Sequence, residues 1–334
     1  MRPATFSARI GGHGVNSVVE KALVVEEAGF DQVWTGNDLF GEPGVVTLSA
    51  IALRTSRILF GSGVIDPVSL HPVQIAMLAS GLQEVSGDRF LLGLGAGSDV
   101  FFRWAGLEPA RPVVRTRQAV LAIRELLAGR SPAGIPGVAD GWTEQAVLRS
   151  YRPTPVYLGA MGPRMLDLTG RLADGALPLC LPPQHVVNVV EQLSAGAAKA
   201  GRSIDDLDVA ACVWASVSDD RDEARYLMAK HIALYSGSLS TDALAANGLD
   251  PEEFARTQQL MLEGREEDAV ASVTPSMLTL GIVGGVDDVV AQCAALLEAG
   301  VRHISFGPPM GPDATGAVKL IGSTVLPELR RQLG

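Results

Sequence analysis

The chain has 334 residues, of which 47% are hydrophobic and 19% charged, with a formal net charge of −10. Such a composition supplies a large core and excludes a disordered chain. The acidic balance excludes duplex nucleic acid as a natural partner, because phosphate binding needs concentrated Lys and Arg.

Short apolar runs alternate with amphipathic segments from the start. Residues 5–10 read as a strand and 15–28 as a helix, with Val18, Val19, Ala22, Leu23 and Val25 at helical spacing and Gly29 as its stop. Strands follow at 32–35 and 58–61, with helices at 45–54 and 72–85, the latter opened by Pro72. A strand at 90–95 precedes a helix at 111–127. The second half repeats the rhythm with strands at 156–159, 175–179 and 207–217 and helices at 163–172, 184–200 and 220–235. A helix at 286–299, a strand at 303–306 and a helix at 314–333 finish the chain. Eight strand–helix units predict an α/β fold, a (β/α)8 TIM barrel, spanning 1–334 as one domain. Residues 129–152 read as a loop. Residues 236–275, with Asp250-Pro251-Glu252-Glu253 as a proline-led helix start, read as a helical insertion.

Cys180, Cys212 and Cys293 are far apart and form no CxxC pair, so buried thiols in a reducing cytoplasm are expected rather than a disulfide framework or zinc site. Neither a signal peptide nor a membrane span is predicted. Asp38, Glu42 and Asp99 do not make a metal-ligand pattern, and no metal is expected.

In a barrel of this kind the site lies in the loops after the strands' C-terminal ends. Those loops carry Gly11-Gly12-His13-Gly14, Gly36-Asn37-Asp38, Ser62-Gly63-Val64-Ile65-Asp66-Pro67, Gly95-Ala96-Gly97-Ser98-Asp99 and Gly159-Ala160-Met161-Gly162-Pro163-Arg164. Glycine in five such loops favours close approach of backbone to a flat ligand. The last loop opens a helix whose free N–H groups, with Arg164, suit an anion. Gly93–Gly97 is not a dinucleotide fingerprint, because Ser98 and Val100 stand where a third glycine is needed.

Taken with Glu26–Asp31, Glu84–Arg89, Ala173-Asp174-Gly175 and the segment 307–327, these loops resemble methylenetetrahydromethanopterin reductase and its bacterial relatives in the bacterial-luciferase-like superfamily. The similarity runs along nearly the whole chain. It implies a homodimer and a barrel that binds the deazaflavin coenzyme F420 for hydride transfer at the deazaflavin C5. It also implies a bulge after the third strand with a cis Gly63–Val64 bond pressing on one face of the ring. The implied coenzyme contacts are Asn37, Asp38, Gly63, Val64, Gly95, Gly97, Ser98, Gly159, Ala160, Met161, Gly162 and Arg164. Against the methanogen reductase, Ala8 and Ser98 stand where acidic residues are expected, and Asn37-Asp38 replaces an Asp-His pair. Methylenetetrahydromethanopterin is therefore disfavoured as the substrate, and a different small organic molecule is expected.

Hydride transfer needs a proton partner, and Asp38 and His13 are the candidate catalytic groups. Asp66 and His71 instead suit a role in holding the bulge loop. Phe101, Phe102 and Trp104 read as core packing or as the lining of an apolar pocket. Two alternatives share the scaffold: an FMN-dependent monooxygenase, and a relative that binds coenzyme without turnover.

Overall fold

A computed structural model describes residues 4–108, 111–138, 140–239 and 241–333. Nine strands are described: β1 (Thr5–Ile10), β2 (Gln32–Thr35), β3 (Leu59–Ser62), β4 (Phe90–Leu94), β5 (Val156–Leu158), β6 (Gly175–Ala176), β7 (Asp208–Val217), β8 (Gly281–Gly284) and β9 (His303–Met310). They run in the order β6-β5-β4-β3-β2-β1-β9-β7-β8, and β6 also pairs with β7. That extra pairing closes eight strands into the circuit of the expected (β/α)8 barrel, with β8 added to the end of β7. The chain divides into two compact units. One takes in the described residues of Ser7–Leu179 and Asn188–Ala210, the other those of Met1–Phe6, Cys180–Val187 and Ala211–Gly334.

In the first unit the parallel register sets Arg9 beside Trp34, Trp34 beside Gly61 and Tyr157 beside Gly175. The Trp34 and Tyr157 rings meet with centroids 5.1 Å apart although β2 and β5 are not neighbours. They therefore lie on the sheet's inner face, with Leu91. Both rings fit because Gly61 and Gly175 have no Cβ; an added one would collide with the Trp34 and Tyr157 rings respectively. Asp208 anchors the same face by accepting from Tyr157 Oη at 2.8 Å and Gln32 Nε2 at 3.3 Å.

Arg89 ties this unit together from the opposite, N-terminal ends of the strands. Its guanidinium donates to the carbonyls of Ala52, Thr55, Ile58 and Ser86 and to Thr55 Oγ1. Glu26 acts likewise in reverse, accepting from the backbone N–H groups of Ser56, Arg57 and Ile58 at 2.6–2.9 Å.

In the second unit the insertion is helical, as expected, with helices Thr241–Ala246, Pro251–Leu262, Glu266–Ala271 and Pro275–Leu278. Asp250 caps the second by accepting from Glu252 N–H at 2.9 Å. Leu244, Leu249, Phe254 and Met277 pack from the insertion onto Met228 and Ile232. Cys180, Cys212 and Cys293 are buried thiols. Among the described residues, no helix is long and apolar enough to cross a membrane.

Among the differences from the sequence expectation, three have a plain physical reason. The helix expected from 111 starts at Pro112, because Arg111 adopts a left-handed φ of 55°. The strand expected over 175–179 covers only Gly175–Ala176; Pro178 has no N–H to extend a ladder. β8 was not expected, since four residues bounded by glycines give no periodic signal.

Burial pushes the Glu26 carboxyl up, but the three backbone donors outweigh it and hold it below the usual carboxylate range. A lowered folded-state pKa gives stability that is present above the unfolded value, about 4.3, and lost as pH falls through the folded one. Glu26→Gln should therefore lower the urea midpoint at pH 7. The gap from wild type should shrink steadily in acid, below about pH 4.

Candidate active site

The site is built at the ends of β2, β3, β4 and β5. The Gly63–Val64 peptide bond is cis, as the resemblance implied. Gly63 N–H donates to Thr35 O at 2.8 Å, so this residue still belongs to the β2 side. Ile65 N–H then donates to Gly93 O at 2.9 Å and Gly95 N–H to Ile65 O at 3.0 Å, so the chain rejoins β4. Val64 is the residue turned inward between them. A Cβ on Gly95 would strike Val64 Cγ2, and one on Gly159 would lie 3.1 Å from Val64 Cγ1. Gly95 and Gly159, both expected as coenzyme contacts, thus have a packing duty of their own: they are the space that Val64 fills. Gly63 is exposed, and a Cβ there would meet only Trp34 Cβ, at 3.5 Å. The surface beside the bulge is therefore bare backbone with open space over it.

Asp38 borders that surface. Over the whole residue it is exposed, yet its carboxylate is crowded, with Oδ2 3.2 Å from where a Gly36 Cβ would stand. Burial of this carboxylate, and next the negative charge of Asp66, push the Asp38 pKa up. Asp66 is buried and organises its own loop, accepting from Val68 N–H at 2.8 Å and from Ser69 N–H and Oγ at 2.6 Å. His71 accepts from Val73 N–H at 3.3 Å at the start of the helix Pro72–Ser86, and its ring stacks on Trp142. Both residues hold the loop, as the sequence suggested. The Asn37 side chain packs against Gly44, where a Cβ would sit 2.5 Å from Asn37 Cβ.

The other expected residues fall into three groups. Gly97 has a left-handed φ of 78° and lies against Phe102 and Asp66; Ser98 precedes the short helix Asp99–Trp104 without capping it. Ala160 is buried, while Met161, Gly162 and Arg164 are exposed around the start of the helix Pro163–Leu172, which no side chain caps. A Cβ on Gly162 would meet nothing within 4 Å. His13 is exposed in a loop tied down by Lys21 Nζ on Gly11 O at 2.6 Å and by Gly14 N–H on Glu42 Oε1 at 2.5 Å. No contact joins His13 to the Asp38 carboxylate among these bonds.

Two features were missed in the sequence. Ala8, which stands where the resemblance expects an acidic residue, is fully buried and pairs with Val33 on the outer face. The residue of β1 on the inner face is Arg9, in register with Trp34; the two-residue alternation of the strand was the available signal. The aromatic segment after β4 divides its rings. Phe102 is 1% exposed in the core, whereas Phe101 and Trp104 gather with Phe40 at the surface.

The scaffold is a parallel barrel with a glycine-lined bulge and an uncapped helix start at its strand ends, and the chain belongs to the luciferase-like monooxygenase family, whose model matches residues 2–303. It is 31% identical to 5,10-methylenetetrahydromethanopterin reductase of Archaeoglobus fulgidus over 92% of this chain and 94% of that protein. It is 27% identical to F420-dependent glucose-6-phosphate dehydrogenase of Nakamurella multipartita over 98% of this chain and 97% of that protein. The solved coenzyme F420-dependent tetrahydromethanopterin reductase of Methanopyrus kandleri superposes with a TM-score of 0.92, at 27% identity, over 98% of this chain and all of that one.

Two outcomes follow for the free protein. Gly95→Ala should displace Val64 and cost about 1–3 kcal/mol in chemical denaturation, the range for overpacking a filled site. Asp38→Asn should stabilise the chain at pH 7. A carboxyl whose folded pKa is raised loses stability as pH rises through the unfolded value, about 3.9, so the gain should vanish below about pH 3.5.

Proposed function

We propose that the chain is an F420-dependent oxidoreductase that moves a hydride between the coenzyme and a small organic substrate, with residues 1–334 acting as one catalytic domain. The observation that carries this reading is the bare Gly63 surface set beside the crowded Asp38 carboxylate. A flat ring can lie on exposed backbone only where no side chain stands, and a Cβ built at Gly63 would meet only Trp34 Cβ, at 3.5 Å. The relatives support the coenzyme: F420 is named for a glucose-6-phosphate dehydrogenase and for a tetrahydromethanopterin reductase alike, so it is shared while the substrate changes.

Bound F420 supplies or accepts the hydride at the deazaflavin C5. Gly63 and Val64 would brace the bound coenzyme, with Gly95 and Gly159 holding Val64 in place to do so. Gly162 and Arg164, at the uncapped start of the helix Pro163–Leu172, would hold the coenzyme's phosphate, since backbone N–H groups and the helix dipole there favour negative charge. Asn37, Gly97 and Ser98 would help to hold the coenzyme from the β2 and β4 loops. Asp38 holds the proton. Its raised pKa keeps the carboxyl protonated at a higher pH than an ordinary aspartate, so it can donate to a substrate heteroatom during reduction and accept from a substrate hydroxyl during oxidation. His13, exposed in the β1 loop, is the reserve exchanger with solvent.

Titration of purified protein with F420 and, separately, FMN tests this reading. F420 is expected to bind at micromolar concentration. Binding of FMN alone, with oxygen consumption when it is reduced, would replace the reading by a monooxygenase. Asp38→Asn should retain coenzyme affinity and lose turnover by about 10²–10⁴-fold. The reductive rate should fall as pH rises through the raised Asp38 pKa, and that limb should disappear in the variant.

A further inference from the structure

Three aromatic rings stand together on the surface beside Asp38. Phe40 and Trp104 are each 67% exposed. Their ring centroids are 5.9 Å apart; Phe101 lies 5.4 Å from Trp104 and 6.5 Å from Phe40. Phe40 is the third residue of a turn closed by Gly41 N–H on Asp38 O at 3.1 Å, which keeps its ring within one turn of the acid. It takes a φ of 64°, rare for a bulky side chain, and so stands outward instead of folding into the core. Phe101 and Trp104 come from the loop and short helix that follow Gly97 and Ser98. One short helix thus sends Phe102 to the core and two neighbours to the surface.

We propose that Phe40, Phe101 and Trp104 form the binding surface for an apolar, aromatic part of the substrate. This inference rests on the proposed activity and names the substrate class. Size chooses the occupant. The exposed ring area is on the order of 300 Å², given 150–250 Å² for a whole aromatic side chain. A stable dimer needs about 800 Å² from each partner, so the patch is too small for a second copy and suits one ring-sized ligand. The tilted and edge-on packing of the three rings leaves ring faces free to stack on another.

The test uses the F420-saturated protein and two neutral ketone probes, acetophenone and 2-butanone, in ligand-observed NMR titrations. Acetophenone should bind at least fivefold more tightly than 2-butanone. Phe40→Leu and Trp104→Leu should each weaken acetophenone about three- to tenfold, the size of an aromatic pair, and leave 2-butanone unchanged. Phe40→Tyr should retain the wild-type preference. Equal binding of the two ketones, or leucine variants with unchanged acetophenone affinity, would overturn the proposal. So would light scattering that finds a dimer dissociated by Phe40→Leu. Coenzyme affinity, titrated separately, decides the proposed activity and not this surface.

Discussion

Val64 needs a place to put its side chain, and much of the site follows from that need. Its two methyl groups sit against Gly95 and Gly159, at the ends of β4 and β5. With that branched side chain turned inward, Gly63 is left as uncovered backbone, held to β2 through Thr35 and followed by an Ile65 that returns to β4. A filled interior resists an extra methylene as firmly as it resists a missing one. The two glycines are therefore packing residues first, and whatever lies on the exposed side of the bulge inherits the position that packing gives.

The same economy governs the acid. Asp66 spends its oxygens on its own loop, accepting three donors from Val68 and Ser69. Asp38 is crowded with no such set of donors and feels the Asp66 charge as well. Two carboxylates near one another thus differ in their surroundings: Asp66 is engaged in holding its loop, while Asp38 has its charged form disfavoured. Placing an aspartate where its charged form is disfavoured costs the folded state stability. Perturbed groups of this kind concentrate at sites that handle protons.

The strand–helix alternation was legible because each strand of the closed circuit carries its own apolar run followed by a helix with a clear start or stop. β8 was not, since Gly281–Gly284 has no such run and pairs only with the end of β7. The bulge at Gly63–Val64 was legible through family resemblance rather than periodicity. Register was the weakest reading. Ala8 and Arg9 differ by one residue, and a one-residue slip sends a side chain to the opposite face of a strand. Only the pairing of Arg9 with Trp34, together with the Trp34–Tyr157 contact across the inner face, fixes which of them faces inward. Phe101, Phe102 and Trp104 could not be told apart from sequence either, since a six-residue helix carries too few turns to reveal its apolar side.

These misses share a physical origin that separates what the family holds in common from what this chain does with it. A glycine that makes room for a neighbour is constrained by atoms the chain always carries, so Gly61, Gly95, Gly159 and Gly175 follow from the fold. Arg9, Ser98 and the rings of Phe40 and Trp104 are not fixed in that way. Arg9 and Ser98 are half-buried, and Phe40 and Trp104 lie open to solvent. Packing tolerates changes at such positions far better than in the core. Side chains at such positions can therefore change without disturbing the seat that Gly95 and Gly159 make for Val64.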